Sequence, residues 1–209
     1  LDSRIFKEPA FAIENAIHEV AHMGRITREN MDRAFEAALS YDKEKIDKVY
    51  EVEKTINNME KLITEYLVKL SNLPLTEDQH VVVSNLFYSV SDIERVGDHV
   101  ENIAELVDVK EGVDKIEFSE QALQDLKSIM GLVTNSFAYA MSAREDSDIS
   151  DAKKVVKYED MVDNMEEELR EQHIERLSKQ LCKPTNGVVF LDIISNLERI
   201  SDHAYNLAG

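Results

Sequence analysis

The chain has 209 residues, and its 42 acidic side chains against 24 basic ones leave a net charge of −18. Such a surface repels nucleic acid and anionic lipid and attracts cations or basic partners. With only 6 glycines and 3 prolines it is a poor candidate for a sandwich or barrel of many short strands, and no apolar run approaches the roughly 20 residues that cross a membrane.

The chain opens at Leu1 rather than Met and without a signal peptide, as expected of a fragment excised from a longer protein. Pro9 suits the first turn of a helix whose apolar positions run Ile13, Ile17, Val20, Gly24, Thr27, Met31, Ala34 and Ala38. A second helix is marked by Val49, Val52, Ile56, Met59, Ile63, Tyr66 and Leu70, and Pro74 breaks it from the next. Val83, Leu86, Val90, Ile93, Gly97, Val100, Ala104 and Val107 define the third, which ends before a loop at Gly112. Ser119 is placed to cap a fourth, carrying Leu123, Leu126, Met130, Val133, Phe137 and Ala140. A long acidic fifth helix is expected from about Asp148 to Leu181, a break at Pro184, and a sixth helix from about Val188 to the end.

Three helices, a break and three more helices point to a duplication, and the sequence of the third and sixth carries it. Residues 91–104 match 195–208 at a constant offset of 104, retaining Ser, Glu, Arg, Asp, His, Asn and Ala. The second and fifth repeat at an offset of 106, where Glu53, Asn57, Met59 and Glu60 face Glu159, Asp163, Met165 and Glu166. The expected fold is an all-α, six-helix bundle made of two repeated antiparallel three-helix units, one domain over 1–209 with repeats at 9–107 and 118–208.

Glu94, Asp98 and Asn102 are spaced i, i+4, i+8, so they climb one helix face at about 6 Å per step, beside the apolar stripe. Glu198, Asp202 and Asn206 do the same in the second copy, while Glu53, Glu60, Glu159 and Glu166 border the stripes of their own helices. Carboxylates at the edge of a core are costly unless paired or metal-bound, and a ladder of like charges repels itself unless a cation intervenes. A solvated face, salt-bridged to Arg95 and Arg199, is the plain alternative. A solvated face has no need to keep Glu, Asp and Asn in register in both halves, however, and this favours a metal site. The donors are all oxygen, suited to iron, manganese, magnesium or calcium, with zinc also admissible.

His99 and His203 follow the ladder aspartates directly and so point about 100° further round the helix, which assigns them structural or interface hydrogen bonds rather than metal ligation. His18, His22, His80 and His173 have no repeated counterpart and read as ordinary surface or edge residues. The single cysteine, Cys182, excludes an intrachain disulfide and a paired-cysteine metal or redox site; a reducing compartment is expected, with Cys182 a small filler or bystander.

The run Ile93-Glu94-Arg95-Val96-Gly97-Asp98-His99-Val100-Glu101-Asn102-Ile103-Ala104-Glu105 resembles the E-R-x-x-D-H-x-x-N-I-A-E signature of the PhoU family, and residues 197–208 are its second copy. That resemblance implies multinuclear iron or zinc clusters on the bundle surface, in a protein that regulates phosphate uptake and its signalling; phosphate as a bridging ligand is compatible with such clusters. It implies Glu53, Glu94 and Asp98 for one site and Glu159, Asp163, Glu198 and Asp202 for the other. Asn102, Asn206, Asn57, Glu60 and Glu166 are additional candidates. Asn57 stands where the second repeat has Asp163, leaving the first site one carboxylate poorer. The opening 1–14 resembles the segment that joins a sodium/phosphate cotransporter membrane domain to a PhoU-like domain. The expected partner is therefore a phosphate transporter membrane domain in the same polypeptide, at the cytoplasmic face of the membrane, with a homodimer also compatible and no membrane insertion of the domain itself.

Two other functions fit parts of this pattern. A structural helical adaptor would use its acids only for solubility. A di-iron carboxylate oxidase would need a Glu-x-x-His on each of two helices, and Glu19 with His22 has no counterpart in the other half of the chain. No glycine-rich phosphate loop, Ser/His/Asp set or cysteine nucleophile is present, so no enzyme is expected.

Overall fold

The computed structural model describes residues 8–109, 113–146 and 148–209. The loop assigned to Gly112 and the first seven residues of the cotransporter-like opening lie outside the described residues.

Among the described residues the chain forms six helices: α1 (Pro9–Leu39), α2 (Lys43–Ser71), α3 (Glu77–Val107), α4 (Glu120–Asp146), α5 (Ile149–Ser178) and α6 (Pro184–Ala208). Local chemistry explains their starts. Pro9 opens α1 at a position whose N–H has no helical partner to lose. Asp42 and Asp148 cap α2 and α5 by accepting from the first backbone N–H groups. Thr76 and Gln79 form a reciprocal capping box on α3. Ser119 accepts from Ala122 N at 3.1 Å, which is the cap anticipated for α4. Pro184 has a different role from the one expected. It begins α6 rather than merely separating two helices, four residues before Val188, because a proline that ends one helix also suits the first turn of the next.

The predicted apolar stripes face inward. Ile56, Ile93, Leu126, Phe137 and Phe190 are among the largest fully buried side chains, and a large apolar side chain contributes about 1.5–3 kcal/mol when removed from water. Within each half all three helices touch one another. Between the halves α3 packs on α6 and α1 on α4, so two of the three helices of each half meet their own repeat, consistent with an approximate internal twofold. The α3–α6 seam shows the symmetry in side chains. His203 Nδ1 lies 3.0 Å from Asp92 Oδ1, and His99 Nδ1 lies 3.1 Å from Asn196 Oδ1, with Asn196 the repeat of Asp92. The two imidazoles stack with centroids 5.6 Å apart. Both histidines thus make the interface hydrogen bonds expected of them.

The expectation of a part of a longer membrane protein, at the inner face of the membrane, is corrected. No helix among the described residues is long and apolar enough to cross a membrane, since each of the six carries a charged face along its length.

Candidate metal centre

The α2–α3 seam brings together Glu53, Glu94 and Asp98, each offering a carboxylate oxygen within 4.8 Å of the others. Glu53 faces the bundle and is only 2% exposed, whereas Asp98 lies at the surface, so the cluster opens outward from a buried floor. Gly97 makes this burial feasible: a Cβ there would stand 2.8 Å from Glu53 Oε2. The α5–α6 seam assembles Glu159, Asp163 and Asp202 within the same limit. Here the repeat of Gly97 is the buried Ser201, and Glu159 is correspondingly less deep than Glu53.

The electrostatics of both clusters are those of carboxyls crowded together and partly withdrawn from water. Burial, then Asp98, pushes the Glu53 carboxyl up to about 9, and burial with Asp98 raises Glu94 to about 7. Glu198, buried beside Asp202, is likewise pushed up to about 7, while burial and neighbouring acids raise Glu159 and Asp163. Two ionised carboxylates can only accept hydrogen bonds, so neither satisfies the other. Both oxygens of Glu53 and Oδ1 of Asp163 are accordingly buried without a partner. A proton or a metal ion supplies what is missing, and an all-carboxylate donor set fits a hard or borderline cation. Among the described residues neither Arg95 nor Arg199 forms an ion pair with these acids, which removes the salt bridges of the solvated-face alternative.

The remaining candidates are placed as follows. Glu198 is outside the tight second trio but lies beside Asp202, whose carboxylate adds to burial in raising its pKa. Asp163 takes the third place in that trio because repeat two carries an acid where repeat one has the exposed Asn57. Glu60 is half-buried and acts on Glu94 electrically. Glu166 is paired with Arg170, whose Nε lies 2.7 Å away and whose Nη2 donates to Ser195. Asn102 donates to Asn196 across the α3–α6 seam, and Asn206 lines a cavity near the start of α5. Neither trio contains a histidine, and His22 of the Glu19–His22 pair is exposed on α1.

The architecture is that of a duplicated all-α helical bundle with an acidic cluster at a corresponding place in each half. The PhoU domain profile matches residues 20–107 and 126–209, and the chain belongs to the PhoU family. It is 28% identical over 191 residues to phosphate-specific transport system accessory protein PhoU homolog 1 of Thermotoga maritima, covering 90% of this chain and 81% of that one. A PhoU homolog of Streptococcus pneumoniae is 27% identical over 188 residues, covering 88% of this chain and 84% of the relative. The fold is that of the crystal structure of PhoU from Pseudomonas aeruginosa, with a TM-score of 0.87 at 23% identity over 94% of this chain and 93% of the other. The Streptococcus pneumoniae regulatory protein PhoU gives 0.84 at 24% identity, over 96% and 93%. The relatives that align are named as accessory proteins of a phosphate-specific transport system.

Proposed function

We propose that the chain regulates phosphate transport through metal ions held in its two acidic clusters. The observation that carries this reading is the pair of trios, Glu53, Glu94, Asp98 and Glu159, Asp163, Asp202, built at equivalent places and each with a buried carboxylate oxygen left unpartnered. The family and the names of the relatives support the phosphate-transport context. Iron and zinc are the ions proposed, one or more in each cluster, with Glu198 able to add a ligand to the second. A bound ion supplies positive charge and open positions for hard oxygen donors. Phosphate is such a donor, and a chain of −18 charge otherwise repels it. Phosphate held at the ions then reports its own concentration to the partner, the membrane component of a phosphate transporter. A pair of copies is compatible with the same reading.

Calorimetric titration of inorganic phosphate into metal-loaded and chelator-treated protein tests this. Binding to the loaded form alone is expected. Equal binding by both forms, or by neither, contradicts the phosphate step.

A further inference from the structure

Away from the acidic clusters, a cavity of about 590 Å³ opens where the start of α4, the end of α5 and the start of α6 meet. Phe118, Phe190 and Leu181 contribute apolar wall, and His173, Arg176 and Lys183 contribute polar groups. His173 is only 5% exposed, and both ring nitrogens are buried without a hydrogen-bond partner. One face of its ring lies on Phe190, centroids 3.6 Å apart. Leaving such a group unsatisfied is costly, so the cavity offers a polar ligand two buried ring nitrogens to pair with. Burial pushes the imidazole pKa down, and the neutral ring offers one N–H donor and one acceptor lone pair. Arg176 on the same helix and Asp125 of α4 are the charges that act on it.

Packing does not require these polar groups, as the first repeat shows. At the offset of 106 that relates α2 to α5, His173 and Arg176 stand where the first repeat has Leu67 and Leu70, both fully buried. One half closes this end with two leucines; the other places an imidazole and a guanidinium on the same helix face. Among the described residues neither Arg176 nor Lys183 forms an ion pair. Helix α6 begins beside them with no side-chain cap on its first N–H groups, and Asn186 and Gly187 of its first turn line the cavity. The volume lies in the range of small-molecule sites and well above what an inorganic anion fills.

We propose that this cavity binds a small organic anion, its oxyanion head on Arg176, Lys183 and the first turn of α6 and its flat or apolar body beside His173, Phe118 and Leu181. The site is separate from the acidic clusters and works without metal.

Cys182 lines the same cavity and is the chain's single cysteine, so its alkylation by iodoacetamide reads occupancy directly. The full chain is alkylated in excess EDTA, with phenyl phosphate, benzoate or inorganic phosphate added separately. Phenyl phosphate or benzoate slows alkylation about tenfold when present at roughly ten times its Kd, and inorganic phosphate at the same concentration does not. Which of the two protects identifies the head group. The double variant His173→Leu/Arg176→Leu copies the first repeat, keeps its helical circular dichroism and loses the protection. Arg176→Gln alone, at a half-exposed position, weakens the protection and serves if the double variant does not fold. Absence of protection by either organic anion, equal protection by inorganic phosphate, or protection that survives both variants overturns the proposal.

Discussion

Oε2 of Glu53 lies 2.8 Å from where a Cβ on Gly97 would stand. Glycine is therefore what lets α3 approach α2 closely enough to bury a carboxyl at the floor of the first cluster. Gly97→Ala forces that carboxyl to move. Metal affinity of the first cluster is expected to fall by roughly 10–100-fold, as for loss of a group that orients a ligand. Stability of the metal-free protein should hold or rise, because alanine is favoured over glycine in a helix by about 1 kcal/mol. Metal titration and thermal denaturation of the variant, run side by side, separate the two effects.

The raised carboxyls set a pH dependence with a definite sign. Glu53 moves from 4.5 to about 9, and Glu94 and Glu198 from 4.5 to about 7, so the folded chain holds more protons than the unfolded chain across that window. The stability these groups contribute is fully present below about pH 4.5 and is lost as pH rises toward 9. Denaturant midpoints of chelator-treated protein should fall over this range, and added metal should flatten the slope, because it replaces the proton. A midpoint for the metal-free protein that rises from pH 5 to 9 contradicts the assignment.

The helices and their duplication were legible in the sequence because amphipathic spacing and punctuation are local, and because the two copies check each other. Pro184 was harder to read: a proline signals a break, and only its neighbours decide whether it ends one helix or starts the next. The acidic ladders were legible as faces, but which members converge depends on the partner helix. Asn102 is turned to the α3–α6 seam and Glu166 is held by Arg170, neither of which follows from spacing. His173 has no repeated counterpart and so reads as a surface or edge residue, yet it is buried. The signal that finds it is the offset between α2 and α5, which places it on Leu67.

Gln180 carries a local strain that the chain can shed. It adopts φ 57° just past the end of α5, where Leu181 N bonds Arg176 O at 2.9 Å and Gln180 N bonds Leu177 O at 3.1 Å. This helix ending favours glycine, since a side chain in the left-handed region costs about 1–2 kcal/mol. Gln180→Gly is expected to stabilise the protein by about 1 kcal/mol, read as a higher denaturant midpoint with unchanged slope.

The central claim is that the two acidic clusters hold metal, and elemental analysis tests it most directly. Protein purified without chelator is compared with the Asp98→Ala/Asp202→Ala variant, which removes one carboxylate from each trio while leaving the buried core intact. Iron or zinc is expected in the parent chain and a large loss of it in the variant, with the helical circular dichroism of the two superimposable. A parent chain free of metal, or a variant that keeps the full complement, contradicts the account.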